Sequence, residues 1–275
     1  MAKRDRCSKK SYSKDTPLVI TLDIIGFSRG AAAARDFASQ ITAASKNNLY
    51  RYTIKDAQGK DVEKCQKLNF RFMGLWDTVR STQTGSYTLD IGPQFAYVAQ
   101  AVALHEYRGL FPSESIMARP QSVIPVAGQT RIERGFLGSH SEIGGSFADG
   151  DLSKVALVWM VNQATAAGVN MDSGRLDRSI IANPVLHDKS SNLFRQGGPA
   201  PDASSQDRVI TYGNGTSVRQ RSSAGQGMTY DDTQRDNMIN YSANPRGNIA
   251  GTVDTVKYLQ WLNSNGYGVN NMTVQ

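Results

Sequence analysis

Near the start of this chain, a run of β-forming residues ends abruptly in a serine flanked by glycines. Leu18-Val19-Ile20-Thr21-Leu22-Asp23-Ile24-Ile25 is almost continuous in strand formers, the pattern of a strand buried on both faces of a parallel sheet. Gly26-Phe27-Ser28-Arg29-Gly30 follows at once, and the alanines from Ala31 to Ala34 favour helix, with Ala33, Phe37, Ile41 and Ala44 on one apolar face. A strand that turns directly into a helix needs small residues around the bend and holds the apex residue in a strained, exposed conformation. Ser28 is that apex. The amide of Arg29, at the positive end of the helix, then points toward any negative charge that develops beside the serine. With 25 glycines in 275 residues the pentapeptide alone is no rarity, so its flanking strand and helix carry the reading.

The same rhythm recurs downstream. Leu68 to Asp77 alternates as a strand and ends on a carboxylate, and Phe95, Val98, Val102 and His105 fall at helical spacing, which predicts a crossover helix over Phe95 to Tyr107. Thr130 to Leu137 reads as a strand that delivers His140 in a Gly/Ser-rich loop. Asp151 can cap a helix running to about Gly168. These elements predict an α/β fold: an α/β-hydrolase-like, mostly parallel sheet flanked by helices, with a loop-rich C-terminal region. Residues 1–16 form a basic tail and 17–275 one domain, in which 172–251 is a loop-rich insertion or lid. Within that stretch Arg208 to Tyr212 and Ser217 to Arg221 suggest a hairpin, and Val253 to Leu262 a final helix carrying Val256, Leu259, Trp261 and Leu262.

Several function classes are disfavoured. No apolar run reaches the roughly 18 residues of a membrane span, and no small-residue cleavage site follows the apolar run after the basic start, so neither an integral membrane protein nor a signal peptide is expected. The two cysteines, Cys7 in the tail and Cys65 in a predicted loop, form neither a metal-ligand spacing nor a disulfide framework, which suits a reducing cytosol. The net charge of +7 is concentrated in residues 1–16, where Lys3, Arg4, Arg6, Lys9, Lys10 and Lys14 face only Asp5 and Asp15. This reads first as a solvated tail and second as an attraction to anionic lipid; no nucleic-acid partner is expected, since Tyr12 is the only aromatic residue among those charges.

Ser28 as a nucleophile needs a base, and the chain has three histidines. His140, in the loop past a strand, is the expected base. His187 in Asn183-Pro184-Val185-Leu186-His187-Asp188 is the reserve, and His105 reads as a core or helix histidine. Asp77 at a strand end is the expected orienting acid, with Glu142 the alternative, and the order Ser28, Asp77, His140 is that of the α/β-hydrolases. The expected oxyanion donor is the backbone N–H of Arg29. No cofactor or metal is required; Asp149-Gly150-Asp151 offers two carboxylates, too few to define a calcium site.

Four ordered blocks carry a family resemblance: Ile24 to Arg35, Phe72 to Val79, Ala103 to Arg108 with Phe111-Pro112, and Gly138 to Gly145. On these the chain resembles the type VI secretion phospholipase effectors, type VI lipase effector family 1 within domain-of-unknown-function family 2235. The resemblance implies a serine phospholipase acting on membrane phospholipid esters, with its triad carried over to Ser28, Asp77 and His140. It further implies synthesis in a bacterial cytoplasm, delivery into a target cell by a signal-less route, a spike-protein carrier and an immunity protein as partners, and the membrane surface as substrate. His105 and Glu142 depart from the family's usual aspartates. The family also carries an Asp-Gly-Thr strand before the elbow, whereas 25 residues precede Gly26 here, so the chain is expected to lack the family's N-terminal part unless another segment completes the sheet. The alternative function is a catalytically impaired hydrolase-like fragment or binding module of a larger effector.

Overall fold

The computed structural model describes residues 19–80, 87–106, 111, 113–116, 128–145, 147–172, 176, 181–187, 207–211, 217–221, 238–241 and 251–264. The predicted tail, 1–16, lies outside the described residues.

The long strand β4 (Asp61–Trp76) organises the sheet. Its second half pairs in parallel with β1 (Ile20–Phe27), from Ile20 opposite Leu68 to Phe27 opposite Trp76, with a register shift between Leu22 and Asp23. It also pairs in parallel with β5 (Tyr97–Ala103), which pairs in parallel with β6 (Thr130–Phe136). The first half of β4 forms an antiparallel ladder with β3 (Leu49–Lys55), which pairs in turn with the two-residue β2 (Ser45–Lys46). The sequence reading passed over this hairpin, although Tyr50-Arg51-Tyr52-Thr53-Ile54 and the Asp56 to Gly59 turn are its signals.

Three sequence expectations are corrected here. β1 is not buried on both faces: among the described residues β4 is its one neighbour, and Ile25 is 56% exposed. Tyr97 to Ala103 is a strand rather than a crossover helix. Val98 to Ala103 are all buried, and a short run buried on every side shows no period that separates strand from helix. Cys65 is a buried residue of β4 rather than a loop residue; Cys7 lies outside the described residues.

Helices cover both faces, giving the expected α/β fold with a largely parallel central sheet. α1 (Arg29–Ala43) lies on one face, where Ala31, Ala34 and Ala38 pack on Leu68, Phe70, Met73 and Val98. Its buried stripe is shifted from the predicted one, leaving Phe37 half exposed, because small alanines let the helix approach closely. On the other face α2 (His140–Gly144), α3 (Ser153–Ala166) and α4 (Thr255–Ser264) enclose Phe72, Phe136, Trp159, Tyr258 and Trp261. The N-cap of α3 is Leu152, not Asp151, whose Oδ2 instead accepts from the amides of Ala182 and Asn183 at 2.6 and 2.9 Å. In α4 the buried set is Tyr258, Leu259, Trp261 and Leu262, and Val256 faces outward.

The loop-rich region contains more order than its composition suggests. β7 (Val185–Leu186), β10 (Ile239–Tyr241) and β11 (Gly251–Val253) form a small sheet, and β8 (Asp207–Thr211) with β9 (Ser217–Arg221) makes the expected hairpin. The rest of 173–250 lies largely outside the described residues.

The bend from β1 to α1 depends on Gly26: a Cβ there would stand 2.7 Å from both Gly30 O and Ala31 Cα, backbone atoms that cannot step aside. Gly26→Ala is therefore expected to lower stability by about 1–3 kcal/mol, read as a shift of the urea midpoint with unchanged slope. An unshifted midpoint would show that the bend tolerates a side chain.

Candidate active site

Ser28 sits between β1 and α1 with φ 61° and ψ −130°, a conformation that costs a residue with a side chain about 1–3 kcal/mol. Backbone bonds hold it there. Its N–H donates to Trp76 O at 2.9 Å, and its carbonyl accepts from Ala31 N at 3.0 Å, Ala32 N at 3.3 Å and Val79 N at 3.4 Å. A serine before a helix commonly turns its hydroxyl back to cap the first turn; here it makes no such bond, and Oγ lies 2.7 Å from His140 Nε2.

His140 Nδ1 is 2.7 Å from Asp77 Oδ2. An ionised carboxylate can only accept, so Nδ1 carries the proton and Nε2 is left to accept from the serine hydroxyl. Asp77 is fully buried directly after β4, with φ 40°. Its N–H donates to Ala101 O at 2.7 Å and its Oδ1 accepts from Ala103 N at 3.0 Å, so the end of β5 aims the carboxylate. The imidazole is buried between the rings of Phe27 and Phe111, at centroid distances of 4.6 and 4.8 Å. Thus the structure brings Ser28, Asp77 and His140 together at the C-terminal ends of β1, β4 and β6, where open parallel sheets place their sites.

The other candidates are displaced from this cluster. His187, the reserve base, does not pair with Ser28. Its ring stacks on Phe147 at 3.8 Å, its Nδ1 and backbone N–H each lie 2.5 Å from Glu142 Oε1, and its Nε2 is 3.2 Å from Asp149 Oδ2. Glu142, the alternative acid, also accepts from the Ser139 amide, and the acid that meets the His140 ring is Asp77. Asp149 meets His187, and Asp151 accepts from the 182–183 amides.

Sequence reasoning missed the supports of this cluster. Glu106 Oε2 accepts from His140 N at 3.2 Å, and His105 Nδ1 accepts from Gly138 N at 3.1 Å; both side chains are buried and brace the loop that carries the histidine. Under the Asp77 turn, Thr78 donates to Gln100 Oε1, and Gln100 donates to Glu133 Oε2 at 2.7 Å. Glu133 also accepts from Ser115 Oγ at 2.8 Å and Ile116 N at 2.9 Å. Burial pushes the Glu133 carboxyl up, against these bonds and the nearby Arg35 charge. Arg35 ties α1 to the same network through Leu89 O at 2.8 Å and Glu114 O at 2.7 Å. Nothing in local sequence pattern marks such residues, because their partners are distant along the chain.

The structure thus joins a serine at a strained strand-to-helix turn, through a histidine, to a buried aspartate on a largely parallel sheet. Comparison with known proteins points to a family. Residues 38–163 match the family described as "T6SS, Phospholipase effector Tle1-like, catalytic domain", a stretch that contains Asp77 and His140 and begins after Ser28. The chain therefore resembles the family expected from the four sequence blocks. No curated protein matches it. Two similar solved structures are an uncharacterized protein from Pseudomonas aeruginosa (26% identity, 56% of this chain, 24% of that chain, TM-score 0.41) and the Tle1 effector bound to the VgrG spike from the Type 6 secretion system (26% identity, 45% of this chain, 24% of that chain, TM-score 0.30). In each case the chain spans about a quarter of the other protein's length.

Burial works to lower the His187 pKa, but the carboxylates of Glu142 and Asp149, one at each ring nitrogen, outweigh it and raise the value above the ordinary 6.5. A raised folded-state value means the stabilisation is fully present below about pH 6.5 and lost as pH rises through the folded pKa. Wild type is expected to exceed His187→Gln by about 1–2 kcal/mol in urea unfolding at pH 6, with the gap shrinking toward pH 9. A gap independent of pH would remove His187 protonation from the account.

Proposed function

We propose that this chain is the core of a serine esterase of the phospholipase type. The observation that carries the reading is the pair of 2.7 Å contacts from Ser28 Oγ to His140 Nε2 and from His140 Nδ1 to Asp77 Oδ2. In the proposed reaction Ser28 Oγ attacks the ester carbonyl while His140 Nε2 takes its proton. Asp77 stabilises the resulting imidazolium, and His140 then protonates the departing alcohol. Water resolves the acyl-enzyme by the same path in reverse roles. The amide of Arg29, at the positive end of α1, is the proposed oxyanion donor. As proposed, the reaction draws on no metal or cofactor.

Phospholipid as the substrate rests on the family match, whose description names a phospholipase effector. By the same resemblance we extend to this chain a delivery route through the type VI machine, a spike protein of the VgrG kind as carrier, and an immunity protein in the producing cell. No described helix is long and apolar enough to cross a membrane, so contact with lipid in this reading is made at the bilayer surface.

Ser28→Ala is expected to reduce fatty-acid release from phospholipid vesicles by at least about a thousandfold, with unchanged circular dichroism. Asp77→Asn is expected to cost on the order of 10³ to 10⁴ through loss of the correct tautomer. Turnover unaffected by Ser28→Ala would overturn the assignment. A second reading, a hydrolase-like shell without turnover, is favoured by β1 having only β4 beside it among the described residues, where a further strand could bring a second oxyanion donor. A fluorophosphonate probe separates the two, since labelling at Ser28 requires an activated hydroxyl.

A further inference from the structure

His187 takes no part in the reaction above, yet the stretch of chain that follows His140 closes around its ring. Glu142, two residues after His140 in α2, meets Nδ1 at 2.5 Å, Asp149 meets Nε2 at 3.2 Å, and Phe147 stacks on the ring face at 3.8 Å with an interplanar angle of 11°. Among the described residues, Glu142 and Asp149 are the charged groups that meet this imidazole. A neutral imidazole carries one N–H, so a ring with a carboxylate at each nitrogen donates to both only as the cation. The side chains of Glu142 and His187 are each 3% exposed, and a carboxylate that far from water needs a countercharge.

The pairing reaches the general base through one side chain. Glu142 Oε1 accepts from the His187 amide as well as from the ring, and Oε2 accepts from the amide of Ser139, the residue immediately before His140. One carboxylate therefore joins the chain entering α2 to the end of β7, a strand of the small C-terminal sheet. The seam continues past the ion pair. Asp151 accepts from the amides of Ala182 and Asn183, its own N–H donates to Asn183 O at 3.1 Å, and a Cβ at Gly150 would stand 3.2 Å from Val185 O. A helix of five residues thus has its first turn, the one that carries His140, pinned from outside.

We propose that His187 is a positioning residue for the general base: paired with Glu142, it fixes the first turn of α2 and so keeps the His140 ring aimed at Ser28. The assignment rests on the esterase reading of that serine. Proton transfer from Ser28 depends on where the ring stands, and a displacement of about 1 Å caused outside the reacting atoms can cost on the order of a hundredfold in rate. Such a loss falls on kcat, since the aim of the ring matters to the transition state and not to ester binding. Loss of the His187 proton leaves the Glu142 carboxylate buried without its countercharge and loosens the turn. Turnover should therefore fall as pH rises through the folded-state value, which, against the effect of burial, the two carboxylates hold above the ordinary 6.5.

The test compares wild type with His187→Gln and Glu142→Gln on p-nitrophenyl butyrate. His187→Gln should lower kcat about ten- to a hundredfold with KM within about twofold, and the alkaline fall of the wild-type profile should be absent. Glu142→Gln, which keeps the shape and removes the charge, should lower kcat similarly, and it decides the matter where His187→Gln does not fold. A kcat within about twofold of wild type in either folded variant, or an alkaline fall that persists in His187→Gln, would overturn the proposal. If wild type hydrolyses no ester, the esterase reading fails first, and the clamp is judged by proton NMR. There the low-field Nδ1–H signal of His140, assigned by its loss in Asp77→Asn, should disappear in His187→Gln; an unchanged signal would end the proposal.

Discussion

One backbone hydrogen bond, from Ser28 N–H to Trp76 O, joins the two halves of the candidate site. It continues the parallel ladder of β1 and β4 one step beyond the paired Phe27 and Trp76, at the point where both strands stop. Because it closes there, Ser28 is held in a conformation its side chain would otherwise avoid, and Asp77 begins its turn beside it. The Ser28 carbonyl then accepts from Val79 on the far side of that turn. Strain at a single residue persists only when its surroundings over-determine it, and four backbone bonds from three segments do so here.

The third partner arrives by a different route. His140 heads a helix of five residues, too short to hold its own orientation, and the neighbouring chain supplies the rigidity. Glu106 accepts its amide, His105 accepts the amide of Gly138, and Glu142 links α2 to His187 and the small C-terminal sheet. Buried acids and histidines are expensive without partners, and here each satisfies the backbone of the loop that it braces. The polar cost of the site is thereby met by groups that stand outside the reacting atoms.

The same geometry explains why one side of the site is apolar and open. β1 has β4 on one edge and no other described neighbour, and Ile25 and Leu157 are partly exposed beside it.

The elbow at Ser28, the carboxylate at the end of β4 and the histidine after β6 were legible in the sequence because each depends on local pattern: strand formers, a glycine-permitted bend, and a loop that follows. Alternation likewise revealed the second half of β4, and Thr130 to Leu137 read as the strand that is β6. Burial on all sides erased the period that would have distinguished Tyr97 to Ala103 as a strand, and the exposure of β1 depended on a neighbour that its own residues do not encode. Its place in a loop past a strand favoured His140 over His187, though each lies near an acid; the folded chain shows His187 held by Glu142 and Asp149 and His140 held by Asp77. The residue types and the bend were therefore set by the chain itself, through local sterics and propensity. Which side chains meet, and which face stays open, was decided by the tertiary fold, because hydrogen-bond partners and burial come from segments far apart in sequence.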